Sequence, residues 1–149
     1  MTEEKNSSIN YISEEILENI CHSLACELFQ DEEPMGLYKD HDQAKLDASL
    51  SLPRQAVYGT ELYPDIYKKA AILFYAINRN HAFGNGNKRL SVAVLIVFLY
   101  INDLILTVSQ KEMRDKALEI AQTNDRVETI VVLTSEWIKN NSTQLKNKN

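Results

Sequence analysis

Glycine and proline are scarce in this chain, four and three residues among 149. A loop-rich all-β design needs more of both at its turns, so that class is set aside. Cysteine is rarer still. Cys21 and Cys26 lie five apart and fit neither a disulfide framework nor a CxxC metal or redox pair, so both read as buried thiols in a reducing cytoplasm. Long apolar runs are missing too: the longest, residues 92–101, is about half of what a bilayer requires. The opening MTEEKNSSIN is polar and acidic, unlike a secretory signal. No block of positive charge stands out from a net charge of -5 spread along the chain, which argues against nucleic acid or a membrane as partner. What remains is a globular composition, 44% hydrophobic and 25% charged, over a length that suits one domain, residues 1–149, with a real core.

Residues 1–8 and 141–149 are polar and read as frayed tails, leaving a core of about 12–138. Ser13 followed by Glu14 and Glu15 starts a helix, whose apolar stripe is Ile16, Ile20, Leu24 and Leu28. Residues 30–42 read as loop, and DQAKLDASLS as a short helix closed by Pro53. PRQAVYGTELYP, with β-branched and aromatic residues around one glycine, reads as an extended or hairpin segment. Pro64 suits the first position of the next helix, with Ile66, Ala70, Leu73, Phe74 and Ile77 facing inward. A helix from about Asn87 to Asn102 is apolar nearly all round and should be central. DLILTV is a short extended link. Ser109 opens a helix with Met113, Ala117 and Ile120 inside, and a last one covers roughly 126–139, with Trp137 in the core. The fold class is therefore all-α, five or six helices with one small non-helical insertion.

Where the helix opened by Pro64 gives way to the apolar helix from about Asn87 stands HAFGNGNKR, residues 81–89. A helix N-terminus carries unpartnered N–H groups and partial positive charge, and glycines ahead of it let the backbone approach an anion. Gly84 and Gly86 flank Asn85, and Asn87 suits the N-cap. Lys88 and Arg89 then occupy the first turn, where cations oppose the helix dipole and make more sense beside a bound anion. His81 precedes the loop as a candidate general base, and Phe83 is its natural anchor in the core. Spacing alone leaves a plain turn at the head of a buried helix equally open. His22 and His41 read as surface or cap histidines, and Tyr63, Tyr67 and Tyr75 as packing.

HAFGNGNKR resembles the active-site motif HxFx(D/E)(G/A)N(G/K)R of the Fic/Doc (Fido) family, and is most similar to its Doc type. The flanks agree, with a Gly-Leu segment, a Pro-Arg-Gln stretch, an aromatic-Gly flap and a helix leading into the motif. The resemblance implies a Fido-type helical bundle with a small β-hairpin flap. It also implies an enzyme that uses ATP to modify a hydroxyl of a protein. Fic-type members transfer a nucleoside monophosphate (AMPylation). Doc-type toxins bind the nucleotide reversed and act as kinases on a translation elongation factor. His81 then matches the general base. Gly84, Asn85, Gly86, Asn87, Lys88 and Arg89 match the phosphate-binding loop. Gln55, Ala56, Val57, Tyr58 and Gly59 fall in the flap that docks the target as an added strand.

Three positions depart from the Fic-type pattern. Lys88 stands where nucleotidyl-transferring members have glycine, and Val92 where they have a second arginine; both point to phosphoryl transfer. Asn85 replaces the acid that holds Mg²⁺, and an amide oxygen ligates magnesium without the charge that favours it. A catalytically impaired nucleotide-binding module is the alternative that Asn85 raises. Ser23 and Glu27 keep the first spacing of the family's self-inhibiting motif, but Leu28 replaces its closing Gly or Asn. Without self-inhibition, a toxic enzyme needs a separate antitoxin laid across the site.

Overall fold

The computed structural model describes residues 8–30 and 34–145; the expectations for the extreme tails lie outside them. Among the described residues the chain forms six helical rods and two small antiparallel sheets. The first rod is in three parts: α1 (Glu14–Ile16), a π-helical segment (Leu17–Cys21) and α2 (His22–Glu27). Ser13 caps it as expected, accepting from the Ile16 N–H at 3.1 Å. The π segment adds a residue to the turn and rotates the buried stripe to Leu17, Cys21 and Ala25. Ile20, expected inside, is therefore exposed. Cys26, expected buried, is exposed as well.

Asp42 caps α3 (Gln43–Ser51), and Pro53 sits in the 3-10 turn Leu52–Arg54 that ends it. The insertion is a hairpin. β1 (Ala56–Val57) pairs with β2 (Thr60–Glu61), and Tyr58 and Gly59 make the turn with φ of 51° and 77°. Positive φ at both central residues matches the right-handed twist of the two strands. α4 (Ile66–Arg79) is capped by the Asp65 side chain, so Pro64 lies just outside the helix instead of on its first position. α4 is buried nearly all round, including Lys69 and Asn78, which the inner stripe did not include. α5 (Asn87–Ile101) is the central helix, packed on α4, α6 and the first rod, with Val92, Val94, Leu95 and Phe98 buried. Each such side chain contributes about 1.5–3 kcal/mol on burial.

The link after α5 is a strand. β3 (Leu104–Leu106) pairs with β4 (Ser142–Gln144), in the tail expected to be frayed. Its polar composition hid it, because a short edge strand is held by backbone bonds and needs no apolar run. α6 (Gln110–Gln122) is capped by Ser109, and Met113, Ala117 and Ile120 face inward as expected. α7 (Val127–Asn140) packs on α4. Trp137 is only partly buried, with Lys116 Nζ 5.3 Å above its ring. No helix among the described residues is long and apolar enough to cross a membrane.

Candidate active site

The two most buried helices are joined by residues 80–86, and their packing fixes where that loop stands. Phe83 is its anchor, 2% exposed. The rings of His22, Tyr38 and His41 lie 5.7, 5.9 and 5.6 Å from the Phe83 ring. Neither histidine is therefore a simple surface residue. His22 Nε2 pairs with the Gly36 carbonyl at 2.9 Å. Burial, then Glu14, Glu18 and Asp47, push the Tyr38 hydroxyl up to about 12. Burial lowers His41, but the Tyr38 carbonyl, Gln43 and the same two glutamates outweigh it and leave the imidazole raised. From α3, the Asp42 N–H donates to the Ala82 carbonyl at 2.7 Å, and Asn80 Nδ2 donates to Ser49 Oγ at 2.7 Å. The loop is thus held from both sides.

Gly86, with φ of 89°, is the N-cap of α5, and Asn87 is the first helical residue. Asn87 was expected to cap; instead it reaches back into the loop. Its Oδ1 accepts from the Phe83 N–H at 3.1 Å and its Nδ2 donates to the Phe83 carbonyl at 2.7 Å. The same Nδ2 lies 3.5 Å from His81 Nδ1, too long to fix the tautomer. Asn87 therefore ties the anchor and the helix start into one unit, with His81 beside it. His81 itself has φ of 51°, a left-handed conformation uncommon for residues other than glycine, and its side chain is exposed. Strain of this kind persists only where the surroundings impose it, and it clusters at working sites.

A cleft of about 570 Å³ opens in front of this unit. His81 and residues 84–89 line it, joined by Asn78, Arg79 and Ala121. The loop residues singled out in the sequence are therefore brought together, while the flap residues 55–59 are not part of the cleft. Three cations and no carboxylate line it. Lys88 is exposed, whereas Arg89 is 5% exposed with its Nε unpartnered. A buried charged donor left so costs roughly 1–3 kcal/mol or more, while Nη1 of the same guanidinium donates to the Leu28 carbonyl at 3.5 Å. Arg79 was missed by the sequence reading. Its Nη1 donates to the Ile120 and Thr123 carbonyls at 2.9 and 3.0 Å, steering the guanidinium to the cleft wall. The one signal was a cation two residues before the histidine.

The family model described as Fic/DOC family matches residues 11–99. The chain belongs to the Fic/DOC family. Its helical bundle and small hairpin agree with the Fido architecture that the sequence suggested. Over 71 residues it is 42% identical to a protein named Toxin Doc from Mycolicibacterium smegmatis (strain ATCC 700084 / mc(2)155). That stretch covers 48% of this chain and 55% of the relative, so the chain spans about half the length of the curated relative it matches.

Magnesium, which the family resemblance implies, finds little here. No group of three His, Cys, Asp or Glu converges among the described residues, and the cleft offers no carboxylate. Asn85, exposed on the loop, offers one neutral amide oxygen, whereas Mg²⁺ is ordinarily held through carboxylates. The residues present do not fit a resident metal.

Proposed function

We propose that this chain is an ATP-dependent enzyme that transfers the terminal phosphate of ATP to a serine or threonine hydroxyl of a protein in the cytoplasm. The observation that carries the reading is the cleft that joins His81 to a helix N-terminus flanked by Lys88 and Arg89 and free of carboxylates. The backbone N–H groups at the start of α5 and the two side chains would receive the phosphate oxygens. Arg79 would extend that positive wall toward the rest of the nucleotide. His81 would take the proton as the target oxygen bonds to the terminal phosphorus. The bond from that phosphorus to the ADP oxygen breaks, and ADP leaves. Positioning and charge stabilisation do most of the work in such transfers.

Lys88 favours phosphoryl over nucleotidyl transfer, since it adds a charge that can follow the transferred group. Position 92, one turn along α5, is a buried valine, so no second cation stands there. The hairpin would dock the target by adding a strand to an exposed edge, with Tyr58 at its tip. The name of the relative, Toxin Doc, supports a toxin paired with an antitoxin, which would cover the open cleft.

The test is transfer of label to protein from ATP labelled at the terminal phosphate or at the α-phosphate. Label from the terminal phosphate alone, falling by about 10²–10⁴-fold in His81→Ala, supports the reading. Label from the α-phosphate alone replaces it with nucleotidyl transfer. Nucleotide binding without transfer of either label makes the chain a binding module.

A further inference from the structure

Lysine is among the residues least often fully buried, and then only when paired. Lys69, near the start of α4, is 1% exposed. Its Nζ donates to the Pro53 carbonyl and to Glu61 Oε1, each at 2.9 Å. These acceptors stand at the two feet of the hairpin, Pro53 ahead of β1 and Glu61 on β2. Between them the Leu62 N–H donates to the Gln55 carbonyl at 3.0 Å. Tyr11, just ahead of the first rod, closes the arrangement, with Arg54 Cζ 4.8 Å and Lys69 Nζ 5.6 Å from its ring centroid. A methionine would fill the same space without the cost of burying an ammonium group. The core gains nothing from the charge; the hairpin does. Both its strands are two residues long and exposed, and hairpins of that size are marginal by themselves.

We propose that Lys69 is a positioning residue that clamps the hairpin at a fixed place relative to His81, through the Pro53 carbonyl and the Glu61 carboxylate. This role rests on the reading that the hairpin docks a protein target. Lys69 sits in the first turns of α4, and His81 follows two residues after that helix ends. Roughly 15 Å of rigid helix therefore separates the clamp from the proton acceptor. A target segment laid along the hairpin presents its hydroxyl to His81 only while the clamp holds the hairpin in place.

The test uses Lys69→Met, Lys69→Arg and Glu61→Gln in the full chain. Chymotryptic cleavage after Tyr58, followed by mass spectrometry, is compared with thermal unfolding of the whole protein. Cleavage at an exposed turn tracks how often the segment opens. Lys69→Met leaves the Pro53 carbonyl without its donor, so the unfolding temperature should fall by only a few degrees while cleavage after Tyr58 quickens about tenfold. Glu61→Gln should give a smaller increase and Lys69→Arg the smallest. In transfer assays the KM for the protein target should rise in Lys69→Met, with the KM for ATP unchanged. Unchanged cleavage in folded Lys69→Met overturns the clamp. If Lys69→Met does not fold, unchanged cleavage in Glu61→Gln overturns it equally. Should the wild-type chain transfer nothing, the transfer reading fails, while proteolysis still decides whether Lys69 holds the hairpin.

Discussion

Alanine at position 86 would meet two obstacles that the structure lets us separate. Gly86 has φ of 89°, and the left-handed region costs an L-residue about 1–2 kcal/mol. A Cβ there would also lie 2.1 Å from Met35 Sδ and 3.0 Å from Met35 Cε. Met35 is partly buried against the core, so it must leave its packing to make room, at about 1–3 kcal/mol. Gly86→Ala should therefore destabilise by about 2–5 kcal/mol, lowering the unfolding temperature by roughly 4–20 °C at this chain length. Denaturant unfolding of Gly86→Ala, Met35→Ala and the double variant isolates the contact. The double variant should be about 1–3 kcal/mol more stable than the sum of the singles, and the backbone part should remain. ATP binding should weaken in Gly86→Ala even after Met35 is shortened, because the amides at the start of α5 move. Additivity within about 0.5 kcal/mol would refute the close approach of Met35. A Gly86→Ala variant as stable as wild type would refute the left-handed turn itself.

His81→Gly should abolish transfer yet stabilise the fold by about 1 kcal/mol, since glycine adopts φ of 51° without strain; calorimetric unfolding reads the gain, and a loss of stability contradicts it. Asn85→Asp should return a charged oxygen to the loop and lower the Mg²⁺ concentration for half-maximal transfer by about tenfold. An unchanged Mg²⁺ dependence would show that the ion, if used, is held by the nucleotide alone. Burial pushes the Cys21 thiol up to about 12, so it stays protonated and inert at about pH 8, where the exposed Cys26 reacts. A thiol reagent should titrate one cysteine in the native protein and the second only after denaturant is added.

The stops and starts were the most legible part of the sequence. Ser13 and Ser109 cap where their composition says, because a cap needs only its own short stretch of chain. The central place of α5 followed from its apolar circumference, and the hairpin from Tyr58-Gly59 between β-formers. HAFGNGNKR set two cations against a helix dipole, the feature on which the proposed anion site rests. What local chemistry could not encode depended on partners distant in sequence. The π segment at 17–21 turned the first rod so that Leu17 and Cys21 went inside and Ile20 did not, a choice made by its packing on α5. β4 exists because β3, some forty residues earlier, offers an edge. Asn87 looked like a cap, yet bonding to Phe83 gives it a different task. Arg79 enters the cleft only because α6 ends where its guanidinium can be held. Lys69 reads as an ordinary helix lysine until the hairpin folds back over it. Most helices, the hairpin and the chemical character of the loop were legible because they follow from spacing along the chain. The tertiary structure alone decided which side chains share the cleft and what holds the hairpin, because those are distances across it.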